Sequence, residues 1–292
     1  MELSSAEINT LSRFFRDDRR LTLAVKGKLK SWLDENFDLY HNCKAFMFTE
    51  QNKAKLRADI EKDNPSVNMR QGIPQGLNRI EVTHYVNDDK LADVRPNDKY
   101  VLATTQCGKM TTAGQTRSIP AGVSLRLPIS SIDFTLLESV IIIENQDVFD
   151  AWHRANLPIK YQSSLAIYRG NDRIITTGVK TLLDTLSSET EVLMFPDLDP
   201  KGLENCFTTA KVSGILAPSL IDIKTLLFKR TQAKKFVLQQ NALTYLGKQT
   251  FGNWHLLITY VLDNQLAIMQ QSMIALGLPT HDNFIPSAAY LC

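Results

Sequence analysis

Three carboxylates in the second half of the chain have the types and spacing that bind a divalent metal ion. Glu144 directly follows the aliphatic run 140–143, and Asp197 and Asp199 follow the predicted strand 191–195, whose last four residues are apolar. A spacing of two in an extended segment puts both aspartate side chains on one side, where they can share a cation. Clustered carboxylates raise one another's pKa values unless a cation compensates them, and Mg²⁺ prefers oxygen ligands. Because such an ion polarises phosphoryl oxygens, the pattern indicates phosphodiester cleavage or transfer.

An alternative explanation of the aspartates needs no metal. Asp199 precedes Pro200, so its presence is fully explained if it is the N-cap of a helix that begins at the proline. A lone Asp-x-Asp pair is also a weak signal by itself. The placement of Glu144 at the end of an earlier strand favours the metal site over the cap alone.

The segment around these residues alternates between strand and helix patterns, which is typical of βαβ units and a parallel sheet. The predicted strands lie at 140–143, 165–168, 191–195 and 212–217. Ligands bind at the carboxyl ends of strands in such sheets, where all three carboxylates are predicted to lie. We therefore expect an α/β domain at 131–292 with a mainly parallel sheet and flanking helices. Its C-terminal part is predicted to be helical, with 254–276 as one long amphipathic helix.

The first 130 residues predict a separate arm. Helical spacing of apolar residues runs through 5–36 and 44–63, and alternating patterns predict strands at 100–105 and 123–127. The two strands would form a small β element, similar to the wing of a winged-helix unit. We place the domain boundary near Ser131 and expect the arm at 1–130 to engage DNA or a protein partner.

Charge gives only local hints of a binding partner. A net charge of +2 and a pI near 8.3 are too mild to argue for nucleic-acid binding by themselves. A C-terminal basic cluster is a candidate phosphate-contacting surface, although a solvated surface without any ligand is the better single explanation. This basic cluster consists of Lys224, Lys229, Arg230, Lys234 and Lys235.

Two further features concern the compartment. The four cysteines lie far apart, without zinc-ligand spacing, and are predicted to be free thiols in a reducing environment. The N-terminus lacks the pattern of a secretory signal, and no apolar stretch has the length of a membrane span. These observations predict a cytoplasmic location and no membrane partner.

The order of these motifs resembles the Toprim domain. The resemblance is carried by Glu144-Asn145 after a strand, two βα units, and the run Asp197-Leu198-Asp199-Pro200-Lys201-Gly202, and it covers about residues 138–218. More narrowly, the segment resembles the Toprim domain of the JetD family, the nuclease subunits of Wadjet plasmid-defence systems, which are related to topoisomerase VI A subunits. Two departures stand out: Pro196 precedes the aspartates where the family usually has glycine, and Gln270, Gln271 and Ser272 stand where related proteins often carry Glu-Gln-Glu.

The resemblance implies the roles of the site residues and the partners. Glu144 would be the Toprim glutamate, a general acid/base or metal ligand, and Asp197 and Asp199 the metal-binding pair for Mg²⁺ or Mn²⁺. The implied activity is cleavage of double-stranded DNA, of plasmid or other foreign origin, beside an SMC-type ATPase complex, with a homodimer as a further expectation. Tyr85 and Tyr100 have no supporting motif for a nucleophile, which favours hydrolysis without a covalent intermediate.

Two alternatives to the nuclease stay open. The departures at Pro196 and Gln270 allow a catalytically weakened Toprim fold that serves as a DNA-binding or assembly subunit. A Toprim nucleotidyl transferase, such as a primase, is a third reading, although the chain shows no nucleotide-binding motif.

Overall fold

The chain divides into two compact units, 1–96 and 97–292. The computed structural model describes residues 3–42, 45–63, 65, 67–86, 89–95, 97–170 and 177–282. The division falls after residue 96, not near Ser131 as the sequence pattern suggested. The strands predicted for the arm at 100–105 and 123–127 instead pair with the main sheet of the second unit, which explains the earlier boundary.

The first unit is mainly helical. Its elements are α1 (Ser5–Arg16), β1 (Thr22–Leu23), α2 (Gly27–Asn36), β2 (Phe46–Met47), α3 (Glu50–Asp63), α4 (Arg79–Val82) and a 3-10 turn at Asp89–Leu91. A capping box of Ser4 and Glu7 starts α1. The predicted helical run 5–36 is interrupted in its middle, because β1 pairs antiparallel with β2 and buries Leu23 in the core of this unit.

The second unit is an α/β structure, as predicted. It begins with the strands β3 (Tyr100–Thr104), β4 (Lys109–Thr112), β5 (Gln115–Ser118) and β6 (Leu125–Pro128). The alternating part follows, with β7 (Ser139–Ile143), α5 (Gln146–Asp150), β8 (Leu165–Tyr168), α6 (Thr177–Thr185), β9 (Glu191–Phe195), α7 (Pro200–Thr208) and β10 (Gly214–Pro218). Short 3-10 turns lie at Ile129–Ser131, Phe134–Leu136, Trp152–Arg154, Ile159–Tyr161 and Gly252–Trp254.

Helices dominate the C-terminal part of this unit. They are α8 (Leu220–Asp222), which continues as a π-helical turn (Ile223–Leu227) and a 3-10 turn (Phe228–Arg230), then α9 (Ala233–Val237), α10 (Gln240–Leu246), α11 (His255–Asp263) and α12 (Gln270–Ala275), before β11 (Thr280–Asp282). In the described part of the chain, no helix has both the length and the apolar character that a membrane crossing needs. Cys107 and Cys206 are free thiols, as predicted, and Cys43 and Cys292 lie outside the described residues.

Among the described residues, seven strands form one mixed sheet in the order β11-β10-β9-β7-β8-β3-β6. The four central strands, β10, β9, β7 and β8, run parallel, while β11 at one side and β3 and β6 at the other pair antiparallel. The predicted mainly parallel sheet is therefore confirmed only for its centre. Every residue of β7 and β10 is buried, as expected for central strands covered on both faces. The hairpin of β4 and β5 forms a separate two-stranded sheet.

The predicted long helix at 254–276 is wrong. After α11 the chain turns at Gln265, whose φ of 50° is left-handed, and then runs extended. Leu266, Ala267 and Ile268 are fully buried, and the backbone of Ile268 exchanges two hydrogen bonds with Leu198. The apolar pattern at 254–276 therefore includes residues of a buried connection, 266–268, as well as residues on a helix face. This break places the start of α12 beside the loop that follows β9.

Candidate functional site

The predicted carboxylates lie at one edge of the sheet. β7 and β9 are adjacent parallel strands in which Ile143 is paired with Phe195, so Glu144 and the loop that carries the two aspartates leave the sheet side by side. The loop folds tightly onto the first turn of α7. A Cβ atom on Gly202 would lie 2.2 Å from the carbonyl oxygen of Asp197, so only glycine fits at that position.

Asp199 has two roles, one on each carboxylate oxygen. Its Oδ1 accepts a hydrogen bond of 2.7 Å from the backbone N–H of Gly202, which confirms it as the N-cap of α7. Its Oδ2 accepts a hydrogen bond of 3.0 Å from Nε2 of Gln239 and lies 2.8 Å from Nζ of Lys235. With 1% of its surface exposed, this side chain is buried, and the cap alone does not account for the second oxygen.

Asp197 has the same division between its oxygens. Its Oδ1 accepts a hydrogen bond of 2.8 Å from the backbone N–H of Gln270, and its Oδ2 lies 3.1 Å from Nζ of Lys235. Burial raises the pKa of Asp197, and Lys235 opposes that change. For Lys235, burial disfavours the charged form, yet the two aspartates outweigh burial and raise the pKa of its ammonium group. One protonated lysine therefore bridges both aspartates.

Glu144 has different partners. Its Oε1 accepts hydrogen bonds of 2.5 Å from Nδ2 of Asn205 and 3.3 Å from Nη1 of Arg169. Its Oε2 is buried and has no hydrogen-bond partner among the described residues. Burial raises the pKa of Glu144 to about 7; Arg169 and Asn205 act in the opposite direction, and the charges of Asp197 and Asp199 raise it further. A carboxyl group with a pKa near neutrality can both accept and release a proton at physiological pH.

Gln270 joins the two strand ends. Its side chain is fully buried, with Nε2 donating to the carbonyl oxygen of Phe195 at the end of β9 and Oε1 accepting 3.2 Å from the backbone N–H of Asn145 after β7. A glutamate at this position could not donate to Phe195 when ionised. The amide therefore has a structural function at the position where the resemblance expected a carboxylate.

The comparison with protein families agrees with this division of the chain. Residues 98–281 match the family described as a domain of unknown function, DUF7281. The chain belongs to the DUF7281 family. The matched segment starts next to the boundary at residue 96 and contains every site residue described above and the whole sheet except Asp282, the last residue of β11. No curated protein matches the chain.

The predicted three-carboxylate metal cluster is not formed in this arrangement. Among the described residues, no group of three His, Cys, Asp or Glu side chains is placed to hold a metal ion. The two aspartates do fit a single cation, because both Oδ2 atoms already contact the same ammonium group. Their oxygens suit a hard ion such as Mg²⁺, which commonly uses one or two carboxylates. Glu144 instead contacts Asn205 and Arg169.

Sequence patterns missed several of these partners. Arg169 directly follows β8, so the rule that pointed to Glu144, a polar residue at a strand's carboxyl end, could have found it. Asn205 lies on α7 among inward-facing apolar residues and is buried. Lys235 was part of the predicted basic cluster, although for a phosphate and not for the aspartates. Gln239 carries no signal in the sequence.

Proposed function

We propose that the second unit is a Toprim-like domain that hydrolyses phosphodiester bonds of DNA with the help of a divalent metal ion. One observation supports this function above the others: Glu144 and the pair Asp197 and Asp199 leave adjacent parallel strands at the ligand-binding edge of the sheet. The charges of Asp197 and Asp199 also raise the pKa of Glu144, so the three carboxylates are close enough to influence one another.

In this proposal the carboxylates have separate roles. Asp197 and Asp199 would hold Mg²⁺ or Mn²⁺ through the Oδ2 atoms that now contact Lys235. The bound ion would supply polarisation of a phosphoryl oxygen. Glu144, with a pKa of about 7, is the candidate general acid/base. Asn205 orients its carboxylate, and Arg169 provides a buried positive charge beside it.

The biological setting is proposed from the resemblance. The substrate would be double-stranded DNA of plasmid or foreign origin in the cytoplasm, delivered by an SMC-type complex, and a homodimer is expected. The basic cluster on the C-terminal helices and the arginine- and lysine-rich segment 13–30 of the first unit support an anionic partner. The helices of the first unit would act as the arm that engages DNA or the partner, whereas the strands predicted to form a wing belong to the second unit.

A second candidate function is a Toprim-like subunit that binds DNA or assembles with partners but has little catalytic activity. Two observations favour it. Lys235 already neutralises both aspartates, and the amide of Gln270 takes the place of a supporting carboxylate. Preserved DNA binding without Mg²⁺ or Mn²⁺ uptake would distinguish this function from the nuclease.

The test compares nicking of supercoiled plasmid in Mg²⁺ or Mn²⁺ by four proteins: wild type, Glu144→Gln, Asp199→Asn and Glu189→Gln. Asparagine keeps the N-cap at position 199, so its effect reports on the cation and not on helix α7. Glu189 is an exposed carboxylate just before β9, at the opposite edge of the sheet, and serves as the control.

We expect the wild type and Glu189→Gln to nick plasmid, Glu144→Gln to lose at least about 100-fold in rate, the size of a general acid/base contribution, and Asp199→Asn to lose activity through weaker metal binding. Equal nicking by all four proteins would assign the activity to a contaminant. If the wild type fails to cleave plasmid in both Mg²⁺ and Mn²⁺, metal-dependent hydrolysis is refuted. Measurements of DNA binding and of Mg²⁺ or Mn²⁺ uptake then decide whether the assembly function holds.

A further inference from the structure

The contacts of Lys235 restrict how a metal ion could reach this site. Each aspartate has one oxygen committed to a backbone N–H, Asp197 to that of Gln270 and Asp199 to that of Gly202. These bonds hold the loop after β9 and the first turn of α7 in place. The two Oδ2 atoms are the ones that face a cation: Nζ of Lys235 lies 3.1 Å and 2.8 Å from them, and Oδ2 of Asp199 also accepts a hydrogen bond from Gln239.

A second cation cannot share that position with the ammonium group. A divalent ion bound to both Oδ2 atoms would lie roughly 4 Å or less from Nζ, where like charges in a partly buried site repel strongly. The ammonium group of Lys235 can move toward solvent, because 35% of the side chain is exposed. Its other contact, 3.2 Å to Sδ of Met269, is weak. Its helix, α9, has only five residues.

We propose that Lys235 is an internal cation that competes with the divalent metal for Asp197 and Asp199, so that the metal binds only when the lysine leaves. This inference rests on the proposed function, since it assumes that the two aspartates are the metal ligands. Lys235 is then an inhibitory contact within the site. Without a metal, Lys235 neutralises the two aspartates and the protein stays folded. To bind, the metal must displace the ammonium group toward solvent.

The first experiment measures Mn²⁺ binding to the full chain by calorimetry. The proteins are wild type, the neutral variants Lys235→Met and Lys235→Gln, and Lys234→Met as the control from the same helix, whose side chain is exposed. We expect both Lys235 variants to bind Mn²⁺ more tightly, by about fivefold to about a thousandfold, because the metal no longer has to separate the lysine from a carboxylate; this is the range for one pair of unit charges near 4 Å between water-like and intermediate dielectric. Lys234→Met should bind like the wild type.

A second readout does not depend on the variants. Lysine acetylation of the wild-type chain, followed by mass spectrometry, should modify Lys235 more slowly than Lys234 without metal. Saturating Mn²⁺ should raise the Lys235 rate several-fold and leave Lys234 unchanged. Thermal unfolding adds a check on folding, since Mn²⁺ should raise the melting temperature of Lys235→Met more than that of the wild type.

The outcomes separate the two proposals. Equal Mn²⁺ affinity of all four proteins, or a Lys235 acetylation rate that saturating metal leaves unchanged, would overturn the competition while the metal site stands. Failure of every protein, including both Lys235 variants, to take up Mn²⁺ would overturn the competition and the metal-dependent function together.

Discussion

Replacing Glu144 with glutamine should remove a specific dependence of stability on pH. The pKa of this carboxyl is about 7 in the folded chain against an ordinary value of 4.5, and burial is the main cause. The folded state therefore holds the proton more tightly than the unfolded state. Its stabilising effect is complete below pH 4.5 and is lost as pH rises to about 7. At 1.36 kcal/mol per pKa unit, the loss is about 3 kcal/mol.

The assay is urea unfolding followed by circular dichroism at half-unit steps from about pH 5 to pH 8.5, with a chelator to exclude metal. Glutamine keeps an oxygen acceptor for Asn205 and Arg169 but does not titrate, so the stability of Glu144→Gln relative to wild type should rise by about 2.5 kcal/mol across that range, since the first part of the loss falls below pH 5. Glu189→Gln, the exposed control, should follow the wild-type curve. A wild-type and Glu144→Gln difference that stays constant with pH would refute the assignment of a raised pKa to Glu144.

Three further predictions concern the loop after β9 and its support. Gly202→Ala should cost about 3 kcal/mol of unfolding free energy, because its Cβ would collide with the backbone oxygen of Asp197; thermal melts check it, and an unchanged melting temperature would contradict the close approach. Relative to the wild type, Gln270→Glu should be less stable at pH 8 than at pH 5, since the ionised side chain cannot donate to Phe195; melts of both proteins at the two pH values check it, and a stability difference that does not change with pH would mean that the bond is unimportant. Asp199→Ala should lose about 1 kcal/mol more than Asp199→Asn in urea unfolding, because only asparagine keeps the cap on α7; equal losses would mean that the cap contributes nothing.

Local patterns predicted the elements around the site well. The strands at Leu165–Tyr168 and Glu191–Phe195 coincide with β8 and β9, and the Asp-Pro pair correctly marked the start of α7. These elements have strong local signals, namely continuous apolar runs and a cap followed by proline. The predicted helix at 254–276 failed because Leu266 and Ile268 are buried in an extended connection, and periodicity alone cannot separate such a connection from a helix face.

The partners of the carboxylates could not be predicted in the same way. Arg169 and Asn205 lie 25 and 61 positions from Glu144, and Gln270 is 125 positions from its partner Asn145. The extra strands β3 and β6 also join the sheet from a segment that looked like a separate element. Pairing between distant segments depends on which surfaces pack together, and no local pattern records it.

Chain order and composition were enough to determine which carboxylates stand at the ends of strands, because strand runs and caps are local features of the backbone. Only the folded arrangement decided the chemical state of those carboxylates. Whether Glu144 carries a proton, and whether Asp197 and Asp199 contact a lysine or a metal ion, depends on burial and on charges brought in from remote helices. Electrostatic energies vary with distance and solvent exposure, and both are set by packing in three dimensions.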